Sequence, residues 1–211
     1  MRDIVLASSN TGKVNEYLKL FSENNLDDWN ILNVGSMELC SESREDGSTF
    51  EENAVQKSRH YLTKLSYPVL ADDSGLCVTC LHDGPGVFSA RWAGPDCTDE
   101  QRCTRLLELM HQSGCADRSA SFACCIAVTM LDGISYTFQG ICSGKIADIP
   151  AGSNGFGYDS IFVPSGYQST MAQMTSNTKN HISHRAKAFR YLSEWLQLPY
   201  VEDRFALISR I

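Results

Sequence analysis

No apolar run in this 211-residue chain approaches the roughly 20 residues that a bilayer-spanning helix needs. Basic residues are scarce as well: 18 Lys and Arg against 25 Asp and Glu leave a formal net charge of -7. That balance argues against broad binding to nucleic acid or to an anionic membrane, although it is compatible with a local basic pocket. Proline is sparse, with 6 residues, and no low-complexity tract, internal repeat or clean linker breaks the chain. Met1-Arg2-Asp3 leads straight into a short apolar strand, without the apolar stretch of a secretory signal. The expectation is a soluble, cytoplasmic protein that handles small phosphorylated ligands rather than polymers.

What is present suits a globular fold. Hydrophobic residues make up 43% and charged residues 20%, and the length suits one domain over residues 1–211, or one domain in two lobes. The 9 cysteines, in a chain without a secretory segment, read as reduced thiols rather than a disulfide framework. Cys77 and Cys80 form a C-x-x-C, which could mark redox chemistry or half of a zinc site. They lie within the alternating run Leu76 to Leu81, and no second C-x-x-C or suitably spaced His pair accompanies them, so they read as buried structural thiols.

Periodicity places the elements. Ile4 to Ala7 reads as a buried strand, Ser8 to Lys13 as a polar loop, and the recurrence of Val14, Tyr17, Leu18 and Phe21 as a helix to Leu20 or Phe21. Residues 33–47 are polar and carry no clear period. Thr49 and Glu52 have capping-box spacing and open a helix to about Leu65. Val69 to Ala71 reads as a second strand, Leu76 to Leu81 as a third, and Asp83 to Gly86 as a turn. Thr98 caps a helix ending near Gly114. Phe122 to Met130 and Ile134 to Phe138 form a hairpin around Asp132-Gly133. A Gly-rich loop, Gly152 to Gly157, precedes a strand at Ile161 to Val163, and Ser183 caps the last helix, which ends before Pro199. Residues 200–211 carry no assignment. Helix-strand alternation followed by a hairpin implies an α/β fold with a mixed sheet.

The chemistry concentrates in a few places. Asp72 and Asp73 stand side by side in Leu70-Ala71-Asp72-Asp73-Ser74-Gly75-Leu76, where the apolar run breaks. Adjacent carboxylates repel, so they call for a cation, and a hard ion such as Mg2+ takes one or two carboxylates plus phosphate oxygens. An isolated Asp-Asp-Ser-Gly is equally a turn that closes a strand. Ser8-Ser9-Asn10-Thr11-Gly12-Lys13 joins a strand to a helix start, where backbone N–H groups and Lys13 attract phosphate, though the spacing is not that of a P-loop. Lys57 lies on the helix opened by Thr49, where a solvated surface lysine is the ordinary reading, and Glu45 lies in an acidic run. Asn154 to Asp159 combines two glycines with two aromatics, which suits either close approach to a stacked ligand or a tight core turn. Lys179 and His184-Arg185 place cations near a helix start, against the dipole.

Together these blocks resemble the inosine triphosphate pyrophosphatase family: Ser8-Ser9-Asn10 through Lys13, Thr49-Phe50-Glu51-Glu52-Asn53-Ala54 with Lys57, Ala71 to Leu76, Pro85 to Arg91, Gly155 to Asp159, and Ser183-His184-Arg185. They keep that family's order from residue 4 to about 197. The resemblance implies a Mg2+-dependent hydrolase that splits ITP, dITP or XTP between the α and β phosphates, giving the monophosphate and pyrophosphate. It implies an ITPase-like elongated, two-lobed α/β fold with a long mixed β-sheet flanked by helices, and a homodimer. Carried over by position, Asp73 is the catalytic carboxylate and, with Glu45, a metal ligand, Asp72 supporting them; Glu42 or Asp46 are alternatives to Glu45. Ser8, Ser9, Asn10, Thr11, Gly12, Lys13, Lys57 and Ser74 bind the triphosphate, Lys13 and Lys57 stabilising the departing pyrophosphate. Phe156, Gly157, Tyr158, Asp159, Lys179, His184 and Arg185 enclose and read the base. Two positions depart from the pattern: Ser160 where Pro is usual, and Gln173 where Glu is common. A nucleotide sensor without turnover, and a pyrophosphatase for modified pyrimidine nucleotides, are the competing readings.

Overall fold

The computed structural model describes residues 2–37, 43–94 and 96–208. Strand β1 (Arg2–Leu6) runs into α1 (Thr11–Glu23), then β2 (Trp29–Asn33), α2 (Phe50–Leu62), the long β3 (Val69–Val78) and the short β4 (Gly84–Pro85). There follow α3 (Asp99–Ser113), the hairpin β5 (Ser119–Thr129) and β6 (Ser135–Ile146), β7 (Phe162–Pro164), and helices α4 (Ser176–Ile182), α5 (His184–Leu196) and α6 (Pro199–Ile208). The strand order is β2-β1-β3-β5-β6-β7, with β4 beside β3. Pairing is parallel between β1 and both β2 and β3, and antiparallel between β3 and β4 and between β6 and β7. The sheet is therefore mixed and helix-flanked, as the element order implies.

Local chemistry explains the helix starts. Asn10 accepts the Lys13 N–H at 3.0 Å, so α1 begins at Thr11, inside the segment read as a loop. Thr49 and Glu52 form the full reciprocal capping box on α2, and Thr98 and Gln101 form another on α3, which ends at left-handed Gly114. Thr175 caps α4, which the sequence reading missed.

Two expectations are corrected. Asp72-Asp73-Ser74-Gly75 is not a turn: it lies in the middle of β3, a single strand of 10 residues where two strands and a turn were expected. The segment is buried along nearly its whole length, so pairing and packing override the local turn preference of Asp, Ser and Gly. Leu18, expected on the apolar face of α1, is exposed, and Leu20 is buried in its place. The unassigned tail forms α6 as far as Ile208.

The chain divides into two compact units, both discontinuous: residues 1–73, 124–140 and 185–211 in the first, 74–123 and 141–184 in the second. In the first, Ile4, Leu6, Tyr17, Phe21, Leu70, Ile126, Phe189 and Leu192 form the core beside the catalytic candidates, with Phe21 and Phe189 edge to face at 5.0 Å. In the second, Leu76, Val78, Leu106, Phe122, Ile161 and Phe162 play that part. Among the described residues no helix is long and apolar enough to cross a membrane.

Phe189 is wholly buried while Tyr191, two residues on, is 58% exposed. Phe189→Ala is expected to cost about 3–5 kcal/mol through lost burial and cavity formation, and Tyr191→Ala no more than about 0.5 kcal/mol. Urea unfolding midpoints at unchanged m-value check both.

Candidate active site

In the first unit the charged residues singled out by sequence converge on the middle of β3. Successive strand residues face opposite ways, and the two aspartates meet different partners. Asp72 is 1% exposed and takes the Lys13 ammonium at 3.0 Å together with the Arg185 guanidinium at 3.0 Å. Burial works to raise the Asp72 carboxyl, but Lys13, Arg185 and Lys57 outweigh it and hold it well below the usual carboxylate range. Asp73 accepts from the Asn53 amide at 2.9 Å. Here burial prevails over Lys13 and the Asn53 bond, and the carboxyl lies above its ordinary range, with Glu45 adding to the rise.

Lys57, on α2, is no surface lysine: its side chain is 14% exposed. Its ammonium donates to the Asp72 carbonyl at 3.1 Å and pairs with the Glu45 carboxylate. Burial would lower its pKa, but Glu45 and Asp72 raise it, so it stays charged. Ser8 is buried and its hydroxyl accepts the Asn10 N–H at 3.2 Å, whereas Ser9, Asn10 and Thr11 are exposed beside the start of α1 and Gly12 lies in its first turn.

Among the described residues no group of three or more His, Cys, Asp or Glu side chains gathers as a self-sufficient metal site. Asp73 and Glu45 remain, two hard carboxylates whose charges oppose each other. That donor set fits Mg2+, which keeps waters and takes substrate phosphate oxygens in addition to one or two carboxylates. Of the alternatives to Glu45, Asp46 is exposed and Glu42 lies outside the described residues.

The base-side candidates, apart from Arg185, lie in the second unit. Asp159 folds back to accept the Phe156 N–H at 3.0 Å and takes the buried Lys179 ammonium at 2.5 Å, and that ammonium sits 4.7 Å from the Phe156 ring centre. Gly155 is required here: its φ is +77, and a Cβ would lie 2.0 Å from Asp159 Oδ2. Tyr158 donates to the Ser89 carbonyl at 2.8 Å and accepts from Trp92 Nε1. His184 stacks on Phe122 with ring centres 4.7 Å apart and planes within 12°. Ser74 is partly buried in β3.

Arg185 differs from its neighbour. It is 1% exposed in the first unit, bound by Asp72 and, at 2.5 Å, by Glu16. The structure thus places the guanidinium against Asp72, within the group of charges that includes Lys13.

Two residues were given no role from the sequence, although Asn53 stands in one of the motif blocks. Asn53 is fully buried, its oxygen accepting the Gly47 N–H at 2.8 Å while its amide donates to Asp73, so it ties the loop carrying Glu45 to the strand carrying Asp73. The signal was an Asn inside a helix, where that side chain is disfavoured. Glu16, the second partner of Arg185, had no signal beyond its place on α1.

Known proteins resemble this chain over nearly its whole length. The Ham1 family model matches residues 4–195. A dITP/XTP pyrophosphatase of Staphylococcus aureus is 40% identical over 196 residues, covering 93% of this chain and 97% of that protein. One of Coxiella burnetii is 42% identical, covering 92% and 96%. Among solved structures, a HAM1 protein from Coxiella burnetii matches with a TM-score of 0.84 at 40% identity, over 93% of this chain and 98% of that one. The Staphylococcus aureus Ham1 protein matches at 0.82 and 39%, over 93% and 98%. The resemblance drawn from the motif blocks therefore holds, and the chain belongs to the Ham1 family.

Proposed function

We propose that this chain hydrolyses non-standard purine nucleoside triphosphates, of the ITP, dITP and XTP kind, to the monophosphate and pyrophosphate. One observation carries the reading: two partly buried lysines, Lys13 and Lys57, flank the adjacent carboxylates Asp72 and Asp73. The relatives named dITP/XTP pyrophosphatases support the substrate class. The reading extends to a cytoplasmic homodimer on the resemblance of the motif blocks.

Phosphoryl-centre hydrolysis asks a protein mainly for positioning and charge neutralisation. Ser8 to Lys13 offer hydroxyls, helix-start N–H groups and an ammonium to the triphosphate, and Lys57 offers a second ammonium. Asp73 accepts a hydrogen bond from the attacking water and orients it toward the α-phosphorus. As the bond to the bridging oxygen breaks, Lys13 and Lys57 take up the charge developing on pyrophosphate. Asp73 and Glu45 would hold Mg2+, which supplies neutralisation of the phosphate charge and a lower pKa for bound water. Asp72, held ionised by its cations, fixes Lys13.

Phe156, half-buried and held by Asp159 and Lys179, offers an aromatic face to a purine, while Tyr158 is buried in the core of the second unit and supports the loop. Hypoxanthine and adenine differ at position 6 by a carbonyl against an amine, so a donor aimed at that position accepts one and opposes the other.

Asp73→Asn is expected to leave the fold intact and to lower kcat for ITP by about 10^2- to 10^3-fold; near-parental turnover would overturn its role. In a pyrophosphate-release panel, ITP, dITP and XTP are expected to exceed ATP and GTP in kcat/KM, by on the order of 10^4-fold over ATP, whose 6-amine opposes the donor, with release abolished when Mg2+ is chelated. A sensor would instead show thermal stabilisation by ITP without pyrophosphate, and a pyrimidine enzyme would prefer modified pyrimidine nucleotides.

A further inference from the structure

The loop proposed to hold the purine is gripped by a helix outside the motif blocks that carry the resemblance. Asp99, the first residue of α3, accepts the Gly157 N–H at 2.6 Å. One turn later Cys103, 1% exposed, donates its thiol to the Gly157 carbonyl at 3.4 Å. Residues four apart lie on the same helix face, so one face of α3 takes both backbone polar groups of a single glycine residue. Gly157 has a φ of +63, in the region open to glycine, and lies outside any strand or helix, so these bonds supply what secondary structure does not. Arg102 in turn fixes Asp99, donating to its other carboxylate oxygen at 2.5 Å and to the Cys97 carbonyl at 2.7 Å.

A carboxylate in a first helical turn has an ordinary explanation in the helix dipole. Glu100, the next residue, is exposed and satisfies that need equally. The Thr98 and Gln101 capping box already closes the helix start. The bond from Gly157 is what the dipole does not explain.

Resting on the reading of residues 155–159 as the base loop, we propose that Asp99 is a positioning residue for nucleobase binding. It pins the Gly157 peptide and thereby sets where the flanking rings of Phe156 and Tyr158 stand. Lys179 and Asp159 hold the loop from one side, and Trp92 and the Ser89 carbonyl anchor Tyr158. Asp99 and Cys103 provide the remaining anchor, between the two rings. Asp99 touches no reacting atom, so its loss weakens substrate binding more than the chemical step.

The test is steady-state kinetics with ITP on the full chain. Asp99→Ala is expected to raise KM about tenfold, the scale of one lost hydrogen bond to a charged group, while kcat stays within about twofold. Asp99→Asn, which keeps an acceptor oxygen, is expected to recover most of the loss. Cys103→Ala, removing the weaker bond, raises KM by a smaller factor, and it carries the test if Asp99→Ala does not fold. Glu100→Ala removes the same dipole charge and leaves KM at the parental value. Equal shifts for Asp99→Ala and Glu100→Ala, or a fall in kcat without a change in KM, would overturn the proposal. Asp159→Asn separates its failure from that of the base-loop reading. A raised KM there with an unchanged KM for Asp99→Ala refutes the role of Asp99 alone, whereas unchanged KM in both refutes the base loop itself.

Discussion

A carboxylate with 1% of its surface exposed is tolerated only where cations replace the water it has lost, and Asp72 imposes that condition on the first unit. The ammonium of Lys13 comes from α1 and the guanidinium of Arg185 from α5, each at 3.0 Å. Glu16, again from α1, closes on the far side of the same guanidinium. Removing one member of such a group leaves an uncompensated buried charge, which costs several kcal/mol, while the intact group contributes little net stability. Its value lies in placement: α1 and α5 must both bring their charges to one point on β3.

The pleat of β3 then separates two carboxylates that composition alone would treat as equivalent. Asp72 is driven below its ordinary pKa range by three cations, and Asp73 is held above its range by burial. Carboxyls whose environments push them apart divide labour. The permanently charged one organises Lys13 and Arg185. The other, with an amide partner from Asn53, is the one with reason to gain from a divalent cation beside it. Asn53 couples that carboxylate to the Glu45 loop through Gly47, so the two proposed metal ligands are set by one side chain.

Features governed by neighbouring residues were legible in the sequence. The capping box at Thr49, the cap at Thr98 and the hairpin around Gly133 involve atoms a few residues apart, and the structure has all three. Features settled by distant contacts were not. Asp72 to Gly75 has turn composition, yet flanking pairing and burial draw it into β3. Strand β2 was invisible because Trp29-Asn30-Ile31-Leu32-Asn33 lacks a clean alternation, and it exists through parallel pairing with β1. The partners of Arg185 lie 113 and 169 residues away in sequence, beyond any spacing rule. Motif blocks could nominate Arg185 as a site residue without showing what holds it.

The departures from the family pattern show which property of a side chain matters. Gln173 stands where Glu is common, and its oxygen accepts the Thr170 N–H at 2.9 Å, closing a capping box. That bond needs an acceptor and not a charge, so an amide serves it. Ser160, in place of the usual Pro, gives up a fixed φ after Asp159, and the neighbouring loop is held by bonds rather than by ring constraint. Asp159 clasps the Phe156 N–H, Asp99 the Gly157 N–H, and Ser89 the Tyr158 hydroxyl. A loop fixed by one acceptor of its own and two from other segments keeps its shape when one rigid residue is exchanged, and it becomes sensitive instead to loss of the acceptors.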